Sequence, residues 1–266
     1  MIRIQRGPEP AALATVRATE LARVRAIAAA GKLDSDAVGK EYSVVKHELW
    51  LQQSMRCCYC EHQTHCDYND VEHFRPKARA DRQDGTVHPG YWWLAWTWTN
   101  LLFSCPSCNR SAKNDLFPLE PGSVPLTPEQ QPPGRERPTL IDPCEEDPVE
   151  LIQFVFDGNH WRPVGRNGSE RGRRTIDILK LARADLLTLY DTHVHDHVRP
   201  RVEATQDAIA RADKPLIRST WRRVLGLLSP RMPFVALTFD ALEHFLPGTL
   251  RGQWSLELPR PPVRGT

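Results

Sequence analysis

The apolar positions of this 266-residue chain follow a helical repeat toward both ends. The first repeat begins after Pro10 and stops at Gly31, which predicts one long helix. A second helix is expected to begin after the cap signal Ser35-Asp36 and to run toward the first cysteines. From Ser169 onward the helical pattern returns. The chain is therefore predicted to be mainly helical, and a few short strands make its fold class α+β.

Those strands are expected where apolar residues alternate or form short runs. Ile152, Phe154 and Phe156 alternate before the turn signal at 157–159, and the segment 161–164 follows as a partner strand. This predicts a β-hairpin with Pro163 near its free edge. The apolar run 101–103 predicts another strand, which leads into a cysteine pair. After Pro259 we expect a disordered tail.

The central part of the chain lacks a sustained repeat. Residues 55–118 are rich in aromatic residues and cysteines, as expected of a small unit that a metal supports. A proline-rich stretch through 119–148 then predicts an extended connection along the surface. We therefore divide the chain into an N-terminal helical segment (1–54), the central unit (55–118), this connection (119–148) and a hairpin-plus-helix region (149–258).

Composition and charge exclude few functions. Hydrophobic residues make up 40% and charged residues 26% of the chain, which is ordinary for a globular protein. The net charge of +2 permits a nucleic-acid partner without arguing for one, because a local patch matters more than the total. No secretion signal is visible and no apolar run is long enough to cross a bilayer. A cytoplasmic location without a membrane partner is therefore expected.

Four of the seven cysteines form two C-x-x-C pairs, which favours metal thiolates over disulfides in a reducing compartment. Cys57 with Cys60, and Cys105 with Cys108, are predicted to close one tetrahedral structural zinc site. Cys58 also lies close to Cys60, but the two-residue spacer makes Cys57 the better ligand. A redox function is disfavoured, because a redox motif needs one reactive pair and not two pairs split around a histidine.

A second set of residues, beside and between the cysteine pairs, suggests hydrolytic chemistry. His73 can take a proton from water near neutral pH, and the adjacent Glu72 offers oxygen ligands for Mg²⁺ or Mn²⁺. Because neighbouring strand residues point to opposite faces, both serve one site only if the backbone bends locally. Asn109 could give the cation a neutral oxygen. The cations expected to hold a phosphate are Arg75, Lys77 and Lys113.

These motifs resemble a known family. The order Glu-His, then Asn-Leu, then Cys-x-x-Cys-Asn with a lysine four positions further on resembles the HNH endonucleases. The longer strings at 71–77 and 98–109 are similar to those of the HNH nuclease subunit of Septu-type antiphage defence systems, which is also found beside some retrons. The resemblance implies a ββα-metal fold in the central unit and hydrolysis of phosphodiester bonds in DNA or RNA.

The resemblance also implies a role for each matching residue. His73 would be the general base, Glu72 and Asn109 would be ligands of a catalytic Mg²⁺ or Mn²⁺, and Asn100 would orient the loop that presents His73. Many HNH enzymes carry Asp in place of Glu72 and His in place of Asn109, and both changes keep a potential ligand. The helical remainder would dock a partner ATPase from the same operon.

Two alternatives stay open at this point. The aromatic run 91–98 could stack on nucleic-acid bases, although packing against helical neighbours is favoured. The chain could also be a zinc-knuckle adaptor that binds nucleic acid or protein without catalysis. That hypothesis explains the cysteines but gives Glu72, His73 and Asn100 no role. Replacement of His73 separates the two, since only a nuclease would lose its turnover.

Overall fold

The computed structural model of the chain describes residues 1–33, 36–85 and 87–265. The α-helices within these ranges are α1 (Ala11–Ala29), α2 (Lys46–Gln52), α3 (Glu170–Ile178), α4 (Ala184–His193), α5 (Arg199–Ala210), α6 (Lys214–Leu225), α7 (Val235–Phe245) and α8 (Gly248–Gln253). The π-helices are Ser107–Lys113 and Val194–Val198. The strands are β1 (Asp70–His73), β2 (Arg79–Asp81), β3 (Val87–Pro89), β4 (Leu101–Ser104), β5 (Ile152–Phe156) and β6 (Trp161–Gly165). The predicted mixture of many helices with short strands is confirmed.

The predicted N-terminal helix is confirmed as α1. Pro10 precedes its first residue, and Gly31 follows its end with a φ of +67°, a left-handed conformation in which a Cβ would be strained. The second helix is shorter than expected, because a 3₁₀ turn at Glu41–Val45 leads into α2. Ser35 of the predicted cap lies outside the described residues.

The central unit is built on the antiparallel pair of β1 and β4, in which His73 pairs with Leu101. The predicted strand at 101–103 is thus confirmed. The side chain of Gln53 donates to the carbonyl of Phe103 at 2.7 Å and accepts from its N–H at 2.8 Å, so the free edge of β4 is covered. After β4 the chain enters the π-helix Ser107–Lys113. The resulting order is two antiparallel strands followed by one short helix.

The predicted hairpin is confirmed as β5 and β6. Phe154 pairs with Pro163, whose missing N–H is tolerated because the sheet has two strands and both have a free edge. The carboxylate of Asp240 in α7 accepts the N–H of Phe154 at 2.8 Å, which fixes the hairpin on the helical region. A third two-stranded sheet joins β2 and β3.

The helical pattern after Ser169 is divided among short helices with their own caps. Ser169 accepts the N–H of Gly172 at the start of α3, and Asp213 accepts that of Leu216 at the start of α6. Lys180, with a φ of +48°, lies in the turn that separates α3 from α4.

No described helix combines the length and the apolar character that a bilayer crossing requires.

One hydrophobic core runs through all four segments. The aromatic run 91–98 lies inside it, with Trp96 fully buried and Trp93 donating its indole N–H to the carbonyl of Gln130 at 2.8 Å. These rings therefore pack in the core and do not form a base-stacking surface.

Residues 119–147 are all described, and apart from one bridge between Leu119 and Pro138 they contain no helix or strand.

The described part of the tail after Pro259, residues 260–265, is ordered, so the prediction of disorder is wrong for it. Arg264 is 1% exposed, bridges to Ile4 through its backbone, and places its guanidinium 3.1 Å from a carboxylate oxygen of Glu61. Glu61 also accepts the N–H of Val235 at the start of α7. The sequence pattern could not show this order, because it comes from a buried carboxylate far away in the chain.

We expect Glu61→Gln to lower the free energy of unfolding at pH 7 by about 3 kcal/mol, because one charge of a buried pair is lost. Burial alone would raise the pKa of Glu61, but the Met1 ammonium and the Arg264 guanidinium outweigh it and lower the pKa to about 2. Because this folded-state pKa lies below the unfolded value, the contribution is present at neutral pH and is lost as the pH falls toward 2.

Urea denaturation of the two proteins at several pH values measures this difference. The matched control is Glu150→Gln, because Glu150 pairs with Arg260 where both side chains are exposed. An equal loss of stability in the two variants would contradict the buried-pair explanation.

Candidate functional site

Four cysteines converge in the centre of the molecule. Cys57 and Cys60 follow α2, and Cys105 and Cys108 follow β4. All four are buried, and their sulfur atoms lie within 4.8 Å of one another. A zinc–sulfur tetrahedron with bonds of about 2.3 Å has edges of about 3.8 Å, and the Sγ atoms of Cys60 and Cys105 are 3.8 Å apart. The group fits a tetrahedral metal such as zinc.

The structure also separates Cys57 from Cys58. Cys58 is not part of the four-sulfur group, and its N–H pairs with the carbonyl of Phe103 at 3.0 Å. Burial raises the pKa of the Cys58 thiol. Burial also opposes ionisation of Cys57, but hydrogen bonds from the neighbouring thiols outweigh it and hold the pKa of Cys57 well below its usual value. Cys57, and not Cys58, is therefore the member of the four-sulfur group.

A cation from the helical region faces this cluster. The guanidinium of Arg183, in the turn before α4, lies 3.7 Å from the Sγ of Cys108. Desolvation lowers the pKa of Arg183, but the negative charges of Cys108 and Cys60 more than compensate and raise it. Arg183 thus offsets part of the charge that four thiolates would bring. No sequence motif pointed to this residue, because it is distant from both cysteine pairs.

A cleft of about 420 Å³ opens beside the β1–β4 pair. Of the predicted site residues, Glu72, His73, Lys77 and Asn109 line it, and Asp70 joins them. Asn100 is buried behind the cleft. The structure therefore gathers most of the expected hydrolytic residues in one place, even though Glu72 and His73 are neighbours in the chain. This is possible because β1 ends at His73.

His73 is held in one tautomer. Its Nε2 lies 2.9 Å from the carbonyl oxygen of Ala95, and a carbonyl can only accept, so Nε2 carries the proton and Nδ1 the lone pair. Burial lowers the pKa of His73 to about 3, despite the opposing effect of that hydrogen bond. Nδ1 makes no hydrogen bond with any residue that the structure describes. The ring is thus a neutral base with one free nitrogen.

The side chain of Asn100 binds the backbone after His73 and the backbone before Ala95. Its side-chain oxygen accepts the N–H of Arg75 at 2.8 Å, and its amide donates to the carbonyls of Arg75 and Leu94 at 3.1 and 3.2 Å. Arg75 lies two residues after His73, and Leu94 directly precedes Ala95. One amide therefore joins the strand end that carries the imidazole to the turn that holds it.

Glu72 is buried and already has a counter-charge. One of its oxygens, Oε1, lies 2.7 Å from the Nζ of Lys113 and 3.1 Å from the hydroxyl of Tyr59. Burial raises the pKa of Glu72, although Lys113 and Tyr59 both act to lower it. Its second oxygen makes no hydrogen bond among the described residues. Glu72 thus has one oxygen left for a cation.

Asn109 occupies the first turn of the π-helix, opposite β1. Its Nδ2 lies 3.5 Å from a carboxylate oxygen of Asp70, which leaves its own amide oxygen free for another ligand. Asp70 also accepts from the Nε of Arg110 at 2.7 Å. Asp70 was not expected from the motifs, but its position two residues before Glu72 puts both carboxylates on the same face of β1.

Two of the three predicted phosphate-binding cations are not in the cleft. Arg75 is 6% exposed, and its Nε pairs with Glu136 at 2.7 Å. Lys113 is 1% exposed, and its ammonium forms an ion pair with Glu72 and donates a hydrogen bond to the carbonyl of His73. Both cations pair with buried carboxylates inside the protein, so neither is placed to bind a phosphate in the cleft. Lys77 alone of the three lines the cleft.

We expect Cys105→Ser to release the metal from the cluster and to destabilise the central unit, because structural zinc contributes on the order of 10 kcal/mol or more to such segments. Metal content by mass spectrometry and the melting temperature measure this. Cys58→Ser is the matched control, since Cys58 is buried but outside the cluster. A Cys105→Ser protein with full metal content would contradict the four-sulfur site.

The sequence of this chain is similar to two known proteins. It is 34% identical over 196 residues to Septu protein PtuB of Bacillus mycoides (strain KBAB4), an alignment that covers 70% of this chain and 64% of PtuB. It is 27% identical over 136 residues to Septu protein PtuA of the same strain, covering 50% of this chain and 18% of PtuA. The chain thus spans less than two thirds of the length of either relative.

No family model and no solved structure matches the chain. The relationship therefore rests on the PtuB alignment, which extends well beyond the region of the cysteines and the cleft. The resemblance to Septu proteins that the motifs predict is confirmed, and the chain is PtuB-like.

Proposed function

We propose that this chain is a metal-dependent HNH endonuclease that hydrolyses phosphodiester bonds in DNA or RNA. The observation that carries the proposal is the state of His73, a buried neutral imidazole whose Nε2 is engaged by Ala95 and whose Nδ1 is free. A general base must hold a lone pair close to a water molecule, and this ring presents one in a cleft that also contains oxygen ligands.

The proposed cation ligands are Glu72 and Asn109, each with one oxygen that makes no hydrogen bond among the described residues. Hard oxygen donors of this kind suit Mg²⁺ or Mn²⁺. A cation held there would supply positive charge beside the scissile phosphate and the leaving oxygen. Asp70 orients the amide of Asn109. Lys113 gives Glu72 a counter-charge in its buried position.

The proposed reaction follows from these placements. His73 would accept the proton of a water molecule through Nδ1 while the water oxygen attacks the phosphorus. The bond from phosphorus to the leaving sugar oxygen breaks in the same displacement, and that oxygen takes a proton from solvent. Asn100 keeps the imidazole aligned, since it binds both the strand end and the turn that contacts Nε2. The zinc that the four cysteines would hold is proposed to be structural, because all four sulfur atoms are buried and no ligand position is left for water.

The similarity to PtuB and PtuA supports a place in Septu-type antiphage defence. We propose that the chain is the nuclease of such a system and acts with a partner ATPase from the same operon. The helical region around α3 to α8 is the proposed docking part, because the cleft is formed by residues 40–115.

Replacement of His73 by Ala is expected to reduce the rate of cleavage by about 10² to 10⁴-fold, the usual contribution of a general base. Labelled DNA and RNA would be incubated with Mg²⁺ or Mn²⁺, with the chain alone and with its operon partner. His195→Ala is the matched control, because His195 is an exposed histidine of the helical region. Cleavage that survives in His73→Ala would contradict the assignment, and binding without cleavage in the wild type would favour an adaptor.

Replacement of Glu72 by Gln is expected to weaken Mn²⁺ binding at least about tenfold, because the cation loses its only charged ligand in the proposed pair. Isothermal titration of the protein with its cysteine site filled measures the affinity. Glu48→Gln, which removes an exposed carboxylate from α2, is the control. Unchanged Mn²⁺ affinity in Glu72→Gln would exclude Glu72 as a ligand.

A further inference from the structure

One wall of the cleft comes from outside the central unit. Lys40, Tyr42, Ser43 and Lys46 belong to the segment around the 3₁₀ turn Glu41–Val45, and they line the same cleft as the proposed catalytic residues. The sequence motifs gave these residues no role. We call Lys40, Tyr42 and Lys46 the N-terminal wall.

The ring of Tyr42 brings this wall into contact with the proposed base. Its centroid lies 4.5 Å from that of the His73 imidazole, and the two planes are nearly perpendicular at 86°. The ammonium of Lys77 lies 5.6 Å from the same tyrosine ring, on the cleft side of the chain that follows β1. A phosphate beside His73 would therefore be next to the wall.

The wall carries positive charge that forms no ion pair with a carboxylate of the described residues. Neither Lys40 nor Lys46 nor Lys77 is within ion-pair distance of a carboxylate in the described parts of the chain. Lys40 is exposed, and Lys46 uses one of its three donors on the carbonyl of Asp67 at 3.1 Å. Each ammonium thus keeps donors for an anion.

The other charged residues that line the cleft differ in this respect. Arg110 is paired with Asp70, with its Nε 2.7 Å from the carboxylate, and Asp115 is paired with Arg79 at 2.6 Å. These cations and anions largely cancel. The unpaired positive charge of the cleft is therefore concentrated on the N-terminal wall and the adjacent Lys77.

We propose that the N-terminal wall, together with Lys77, binds the sugar-phosphate backbone of the substrate strand next to the cleaved bond. This inference rests on the proposed nuclease function and adds the surface that holds the substrate. Unpaired lysines in a row are suited to consecutive phosphates, which they bind as point charges without reading the bases. The wall therefore contributes affinity and position, and little sequence preference.

The test is the double variant Lys40→Gln/Lys46→Gln, made in the His73→Ala background so that the substrate stays intact. Fluorescence anisotropy with labelled single-stranded DNA, RNA of equal length and duplex DNA would be measured over a range of KCl concentrations. We expect binding to weaken about tenfold, and the slope of log K against log salt to fall in magnitude by roughly 0.7 to 0.9 for each lysine. The matched control is Lys32→Gln/Lys214→Gln, which removes the same charge at exposed positions outside the cleft.

Cleavage kinetics with His73 present complete the test. The lysine pair does not touch the reacting atoms, so KM is expected to rise about tenfold while kcat changes little. Wild-type cleavage combined with an unchanged salt slope and KM in the wall variant would overturn this inference and leave the nuclease proposal standing. An equal loss of nucleic-acid affinity in the control pair would overturn it as well. So would a wall variant that keeps its nucleic-acid affinity and loses only its binding to the partner ATPase. Absence of cleavage in every protein would instead count against the nuclease function.

Discussion

The arrangement of the whole central region depends on the closure of four cysteine sulfurs into one cluster. Cys57 and Cys60 fix the chain after α2, and Cys105 and Cys108 fix the end of β4 and the start of the π-helix. The core supports this segment mainly through aromatic rings, and a metal held by the four sulfurs would add the cross-links that fix its ends. The direction of the π-helix, and with it the position of Asn109, follows from where Cys108 is held.

The same cluster also connects the cleft to the rest of the molecule. Arg183 reaches it from the turn before α4, and Glu61, the residue after Cys60, binds the start of α7 and the guanidinium of Arg264. These charges lie in a buried environment, where each depends on its partner. The helical region is therefore part of the support of the cluster, besides being the proposed docking part.

The sequence was sufficient for the features that depend on local spacing. The C-x-x-C pairs predicted the four-sulfur group, the apolar run at 101–103 predicted β4, and the alternation at 152–156 predicted the hairpin. It was not sufficient where a side chain meets a partner far away in the chain. Arg75 and Lys113 look like surface cations in the sequence, yet Glu136 and Glu72 bury them. The order of the tail has the same origin.

The candidate site was predicted only in part for a related reason. Motif spacing pointed to Glu72, His73, Asn100 and Asn109, and three of these, Glu72, His73 and Asn109, line one cleft. They lie close in sequence to the cysteines that position them. The carbonyl of Ala95 has no sequence signature at all, because every residue has a carbonyl. The contact of Tyr42 with His73 joins two segments that no spacing rule connects.

The contact between Tyr42 and His73 determines how much of the chain the proposed catalytic unit needs. A piece of this chain cut at residue 55 would keep the cysteines, the imidazole and the proposed cation ligands, but it would lose the tyrosine ring and the lysines beside them. Gln53, which covers the edge of β4, would be lost with them. Transplanting the motif-bearing part into another scaffold would thus transfer the proposed catalytic residues without the proposed substrate-binding surface. A recombination event that keeps both must carry the segment before residue 55 along.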